Sequence, residues 1–133
     1  MSHIEEYGEL KVICPIDCGN APKKKILKEL NIALAKNDTE LIIGYINDEI
    51  LWNIIGKPTI QGKESFLKEI TQTATDKISE LHIQHIITHG KEAAVNGKII
   101  LENENSFSFC HVYNFTSAGK NTIKEITSYI LKT

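Results

Sequence analysis

A chain of 133 residues with 41% hydrophobic and 24% charged residues has the ordinary size and mix of one globular domain, long enough to close a core and too short for two. No apolar run approaches the roughly 18 residues that span a bilayer, so membrane insertion is not expected. The net charge of −2 offers phosphate no broad attraction, and all fifteen basic residues are lysine; the absence of arginine's forked guanidinium weakens a nucleic-acid reading, and no nucleic-acid partner is expected.

Residues 1–19 are expected to form an irregular N-terminal extension. The start, Met1 to Glu6, is acidic where a signal peptide needs a basic patch. Leu10, Val12 and Cys14 alternate briefly until Pro15 cuts the run. Three cysteines, Cys14, Cys18 and Cys110, are an odd number and predict thiols in a reducing compartment, the cytoplasm. The gap between Cys14 and Cys18 provides too few ligands for zinc, and no cofactor is expected.

Residues 20–133 are expected to form a single domain. Asn20 can cap a first helix, Pro22 suits its first turn, and Ile26, Leu27, Leu30, Ala33 and Leu34 recur at helical spacing. Lys23, Lys24 and Lys25 sit in that first turn, where the helix dipole disfavours cations, and are read as a solvated cluster. Asn37 ends the helix, and Asp38 can cap a second over 39–46. A strand follows at 50–55. Gly56, Lys57 and Pro58 break it, and a third helix after Gly62 carries Phe66, Leu67, Ile70 and Ala74.

From Leu81 the period becomes two. Strands are predicted at 81–89, 92–102, 107–115 and 122–131, joined by hairpin-length turns and therefore antiparallel. Asn96-Gly97 could be a hairpin turn, but the long strand is better served by a bulge at Gly97.

The order of elements and several runs give the chain a resemblance to the nuclear transport factor 2-like superfamily, which includes ketosteroid isomerase and polyketide cyclases. The runs are Ala33 to Asp38, Asn47 to Asn53 followed by Gly56, Ile60 to Glu64, and the last hairpin, Phe109 to Phe115 with Ile123 to Ile126. The resemblance covers roughly residues 23–131. It implies an α+β fold, a cone-shaped curved antiparallel sheet with three N-terminal helices covering its concave face, an apolar interior pocket, and a homodimer formed through the sheet. In isomerase-like members it implies a carboxylate base where this chain has Asn53, an oxyanion-hole tyrosine where it has Leu30, and a partner acid where it has His111. All three positions depart, so steroid isomerisation by that mechanism is not expected.

Polar candidates remain. Alternation turns Phe107, Phe109, His111, Tyr113 and Phe115 to one face, where a partly desolvated histidine stays neutral and can accept a proton. Asn53, with Leu51 and Ile55, is expected to face it across the pocket, while Trp52 packs on the other side. Ile126, Ser128 and Ile130 match pocket-lining positions of the resembled family. His85 joins them if Leu81, Ile83, His85, Ile87 and His89 share a face; on a strand, His82 then points away, and a three-histidine metal site is not formed. The candidate catalytic pair is therefore His111 and Asn53, with Leu30, Leu51, His85, Phe109, Tyr113, Ile126 and Ile130 as ligand-binding residues. Such a lining suits a small, mainly apolar or carbonyl-bearing molecule. Two classes stay open: an enzyme in which His111 moves a proton while Asn53 holds a carbonyl oxygen, and a non-catalytic ligand- or protein-binding module.

Overall fold

The amino-terminal stretch is where the structure, a computed structural model describing residues 2–15, 21–73 and 77–133, departs most from expectation. Strands β1 (Ser2–Tyr7) and β2 (Leu10–Pro15) form an antiparallel hairpin where irregular chain was predicted. Gly8 takes a φ of +64° in the two-residue turn between them, a conformation costly to other residues. The alternation of Leu10, Val12 and Cys14 is the core-facing side of β2, and all three are buried. Lys28, from the first helix, pairs with Glu5 on β1 and, with Tyr7, holds the Glu5 carboxyl below the usual carboxylate range. Cys18 lies outside the described residues.

Helix α1 spans Pro22–Lys36 and buries Leu27, Leu30, Asn31, Ile32 and Ala33. Its N-cap is Ala21, whose side chain caps nothing; Asn20, the expected cap, lies outside the described residues. Lys23 is not simply solvated: its ammonium donates to the carbonyls of Ala118 and Lys120, each at 2.8 Å, and sits over the Phe115 ring. Asn37 ends the helix with a left-handed φ of 60°, a conformation asparagine tolerates. Asp38 caps α2 (Thr39–Ile43), which stops three residues earlier than predicted because Ile46 already begins a strand.

That strand, β3 (Ile46–Ile54), is followed by the short β4 (Ile60–Gln61) and by α3 (Lys63–Thr73). The remaining strands are β5 (Ile78–His89), β6 (Glu92–Leu101), β7 (Ser106–Phe115) and β8 (Ile123–Lys132). All eight form one curved, unclosed sheet in the order β1-β2-β5-β6-β7-β8-β3-β4. It is mixed, not antiparallel, because β2 runs parallel to β5 and β3 parallel to β8. Hairpin-length turns constrain only consecutive strands; β2 and β3 join their partners through helices and long connections, which leave direction free.

β6 runs unbroken through Asn96-Gly97, so no turn forms there, and the extra residue lies on β5. Between Ile83 and His85 that strand gains one residue against Gly97 and Asn96. Gly97 is required by close approach: a Cβ there would lie 1.9 Å from the His82 carbonyl oxygen. The bulge has a consequence for faces. Leu81, Ile83 and Ile86 are buried, while His85 and Ile87 are exposed.

Candidate functional site

Two helices identify the interior face of the sheet. From α1, the Asn31 amide nitrogen donates to the Tyr113 hydroxyl at 3.1 Å and to the Leu27 carbonyl at 2.8 Å. From α3, Phe66 packs on Trp52, ring centres 4.7 Å apart. The strand registers carry this face across the sheet: Tyr113 pairs with Ile126 and Ile126 with Trp52, while His111 pairs with Ser128 and Ser128 with Ile54. Partners in register share a face. The interior side of β7 is therefore Phe109, His111, Tyr113 and Phe115, and all but the histidine are fully or almost fully buried.

A polar chain crosses this apolar face. The Trp52 indole Nε1–H donates to Ser128 Oγ at 2.9 Å, and the same oxygen lies 2.7 Å from Nδ1 of His111. Ser128 has no accessible surface. The imidazole stacks on Phe109 at 4.8 Å and meets the edge of Tyr113 at 6.1 Å. Burial pushes the His111 pKa down to about 4, so the ring is neutral at pH 7. Burial likewise pushes the Tyr113 phenol up. His111 keeps some accessible surface, and among the described residues nothing bonds its Nε2.

Asn53 does not face this centre. It pairs with Thr127, which pairs with Val112, and all three lie on the outer side of the sheet. There its amide nitrogen donates to Glu125 at 2.8 Å, and its oxygen accepts from the Thr59 hydroxyl at 3.0 Å. The reason is apolar area: Ile46, Ile50, Trp52 and Ile54 occupy the even positions of β3, and burying an indole outweighs burying an amide whose hydrogen bonds must all be met. Leu51 goes outward with Asn53, opposite Gln61, and Ile55 is exposed. The predicted pairing of Asn53 with His111 is overturned by this register.

The other candidates divide. Phe109, Tyr113 and Ile126 border His111 on the interior face, and Leu30 is buried in α1 beside Asn31. Ile130 pairs with Phe109 but is 43% exposed, and with the partly exposed Phe107 and Ile54 it marks where this face meets solvent. His85 is outside, its Nδ1 3.0 Å from Asn96 Oδ1, because the bulge reverses the alternation beyond Ile83. His82 meets Glu80 at 3.0 Å. Among the described residues no group of three His, Cys, Asp or Glu side chains could hold a metal ion. An open depression of about 620 Å³ lies between β3 and the start of α3, bordered by Asp48, Gly62, Lys63 and Leu67 among others; no residue around His111 lines it.

Trp52 is the member of this polar chain that the faces predicted for β3 obscured, whereas Ser128 stands on the interior side of β8 with Ile126, as the sequence suggested. Trp52 was assigned to packing alone. The signal available in the sequence was the even-numbered apolar series on β3, which a strand beginning at Ile50 conceals by starting four residues late.

No protein-family model and no curated protein matches the chain. Solved structures do. A nuclear transport factor 2-like protein of unknown function from Burkholderia xenovorans aligns with a TM-score of 0.73 and 13% identity, over 84% of each chain. The epoxide hydrolase/cyclase-like enzyme SalBIII, associated with pyran ring formation in polyether salinomycin, aligns at 0.69 and 15% identity over 82% of this chain and 90% of its own. An epoxide hydrolase of M. tuberculosis aligns at 0.66 and 15% identity over 80% of each. At these identities the likeness reaches the backbone and no further. The order of elements, the open mixed sheet and these alignments together give the chain the nuclear transport factor 2-like fold.

Proposed function

We propose that this chain is a small-molecule-binding domain whose ligand, small and mainly apolar, places one oxygen against His111 on the interior face, which we read as the concave one. The observation that carries this reading is the His111 ring itself. It is desolvated to a pKa of about 4, anchored on one nitrogen by Ser128, and open on the other. A histidine that served packing alone would have no use for an unbonded Nε2 beside two aromatic rings.

Proton-transfer catalysis is the second reading, favoured by the solved epoxide hydrolase and cyclase-like enzymes that share the fold. Against it, burial is the one cause of the His111 shift and no carboxylate bonds the ring; a base with so low a pKa drives proton abstraction weakly at pH 7. Binding without turnover fits better. The titration of the 15N-labelled chain with a panel of small ketones, led by cyclohexanone and acetophenone, tests this. Shifts centred on Phe109, His111 and Tyr113 are expected, and shifts confined to outer-face residues, or none with any ketone, would overturn it.

The outer face supports a homodimer. Val112 and Tyr129, with Ile87 and Leu131, stand exposed on the outer side of β5, β7 and β8, apolar side chains set among polar ones that a two-fold contact would cover. Cys14 and Cys110 are free thiols, in keeping with a reducing, cytoplasmic setting. No described helix is long and apolar enough to cross a membrane.

A further inference from the structure

We infer that Ser128 is a positioning residue that fixes His111 in the tautomer protonated at Nε2, so that the interior site donates a hydrogen bond and selects ligands whose oxygen accepts one. The inference deepens the binding role proposed for His111 and rests on it for its ligand consequence, but the tautomer itself is a property of the free protein.

The geometry decides the direction of each bond. An indole Nε1–H can only donate, so Trp52 fills one lone pair of Ser128 Oγ at 2.9 Å. Ser128 has one hydroxyl proton to place, no accessible surface on which to place it in water, and no contact of its side chain besides Trp52 and His111. Nδ1 of His111, 2.7 Å away, is the acceptor left. If Nδ1 carried the proton instead, the hydroxyl would receive two donors while its own hydrogen stayed buried and unmet. That penalty is large enough to skew the tautomers by about ten-fold or more. A neutral imidazole with Nδ1 occupied in this way presents Nε2–H to whatever approaches its open edge.

The Tyr113 phenol beside the ring has no accessible surface and accepts from the Asn31 amide nitrogen, so the donor that a ligand meets is Nε2–H of His111. A single donor on an apolar face suits a carbonyl oxygen and opposes an ammonium group, which only donates.

Long-range proton–nitrogen correlation of the histidine ring in the 15N-labelled full chain at pH 7, with no ligand added, reads the tautomer directly. A protonated Nε2 with an unprotonated Nδ1 is expected for His111 in the wild-type chain and in Ser128→Thr, which keeps the hydroxyl. In Ser128→Ala the bias should fall by about ten-fold, bringing Nδ1–H into view. A wild-type spectrum dominated by Nδ1–H overturns the inference even if Ser128→Ala fails to fold, and so does an unchanged tautomer in Ser128→Ala. The ketone titration reads the binding role separately: an Nδ1–H tautomer overturns the inference whatever the titration shows, and an Nε2–H tautomer without ketone-induced shifts at His111 overturns the binding role alone.

Discussion

Ser128 Oγ lies 2.7 Å from Nδ1 of His111, joining neighbouring strands β7 and β8 at a point with no accessible surface on the serine. Through the same oxygen the contact extends to Trp52 on β3, so three strands meet at one hydroxyl. Replacing it with a methyl group, in Ser128→Ala, leaves an indole N–H and an imidazole nitrogen without their partner inside the sheet. A loss of about 1–3 kcal/mol in chemical denaturation is expected, and a neutral result would show that the chain is not formed.

The stability of the protein should fall in mild acid because of His111. Its folded pKa, about 4, lies below the ordinary histidine value of 6.5, so between those values the unfolded chain binds the proton and the folded one does not. The contribution is fully present above pH 6.5, declines as pH falls through the window, and levels off below about 4. Its size is at most about 3 kcal/mol, since the accessible edge of the ring lets water screen part of the charge. Denaturation at pH 7 and pH 4.5 should show this component in the wild-type chain and not in His111→Gln.

Gly97 faces the His82 carbonyl across the β5 bulge, and Gly97→Ala would put a carbon 1.9 Å from that oxygen. Backbone on both strands must move. A cost of at least about 2 kcal/mol is expected in thermal or chemical unfolding, against a few tenths for Ala at Gly119, where a Cβ meets nothing within 4 Å.

Val112 stands 37% exposed on the outer face, between Ala94 and Thr127 in register. Light scattering at micromolar concentration should give a dimer for the wild-type chain and a monomer for Val112→Lys, because a buried unpaired ammonium at a two-fold contact is met twice. A wild-type monomer would remove the outer face from the account.

The reach of the sequence differed from strand to strand. On β7 the alternation of four aromatic rings with small or polar residues left one possible inside, and Tyr113 and Phe115 are completely buried. On β3 the same rule, started at Ile50 and aligned to a family position, put Asn53 inside and Trp52 outside, whereas the register with β8 shows the reverse. On β5 a single extra residue opposite Gly97 moved His85 and Ile87 to the surface. A period of two holds only between bulges, and the sequence marks the glycine but not which strand carries the extra residue. Parallel pairing of β2 with β5 and of β3 with β8 was out of reach for a different reason: it depends on contacts across long sequence separation, which local patterning does not encode.

Asn53→Ala and His111→Gln separate the account from the pairing that the sequence suggested. Asn53 bonds Glu125 and Thr59 on the outer side, so its removal should change ketone affinity by less than about two-fold while costing about 1 kcal/mol of stability. His111→Gln should weaken binding about ten-fold or more, the scale of one lost hydrogen bond in an apolar site.

The most direct test is ligand-induced shift mapping on the folded chain. With a ketone from the panel at saturation, the account predicts that the His111 ring nitrogens and the amides of Phe109 and Tyr113 move most, that Asn53 and Val112 stay still, and that in His111→Gln the same shifts need about ten-fold more ketone. Shifts centred on Asn53, or a pattern that survives His111→Gln unchanged, would contradict it.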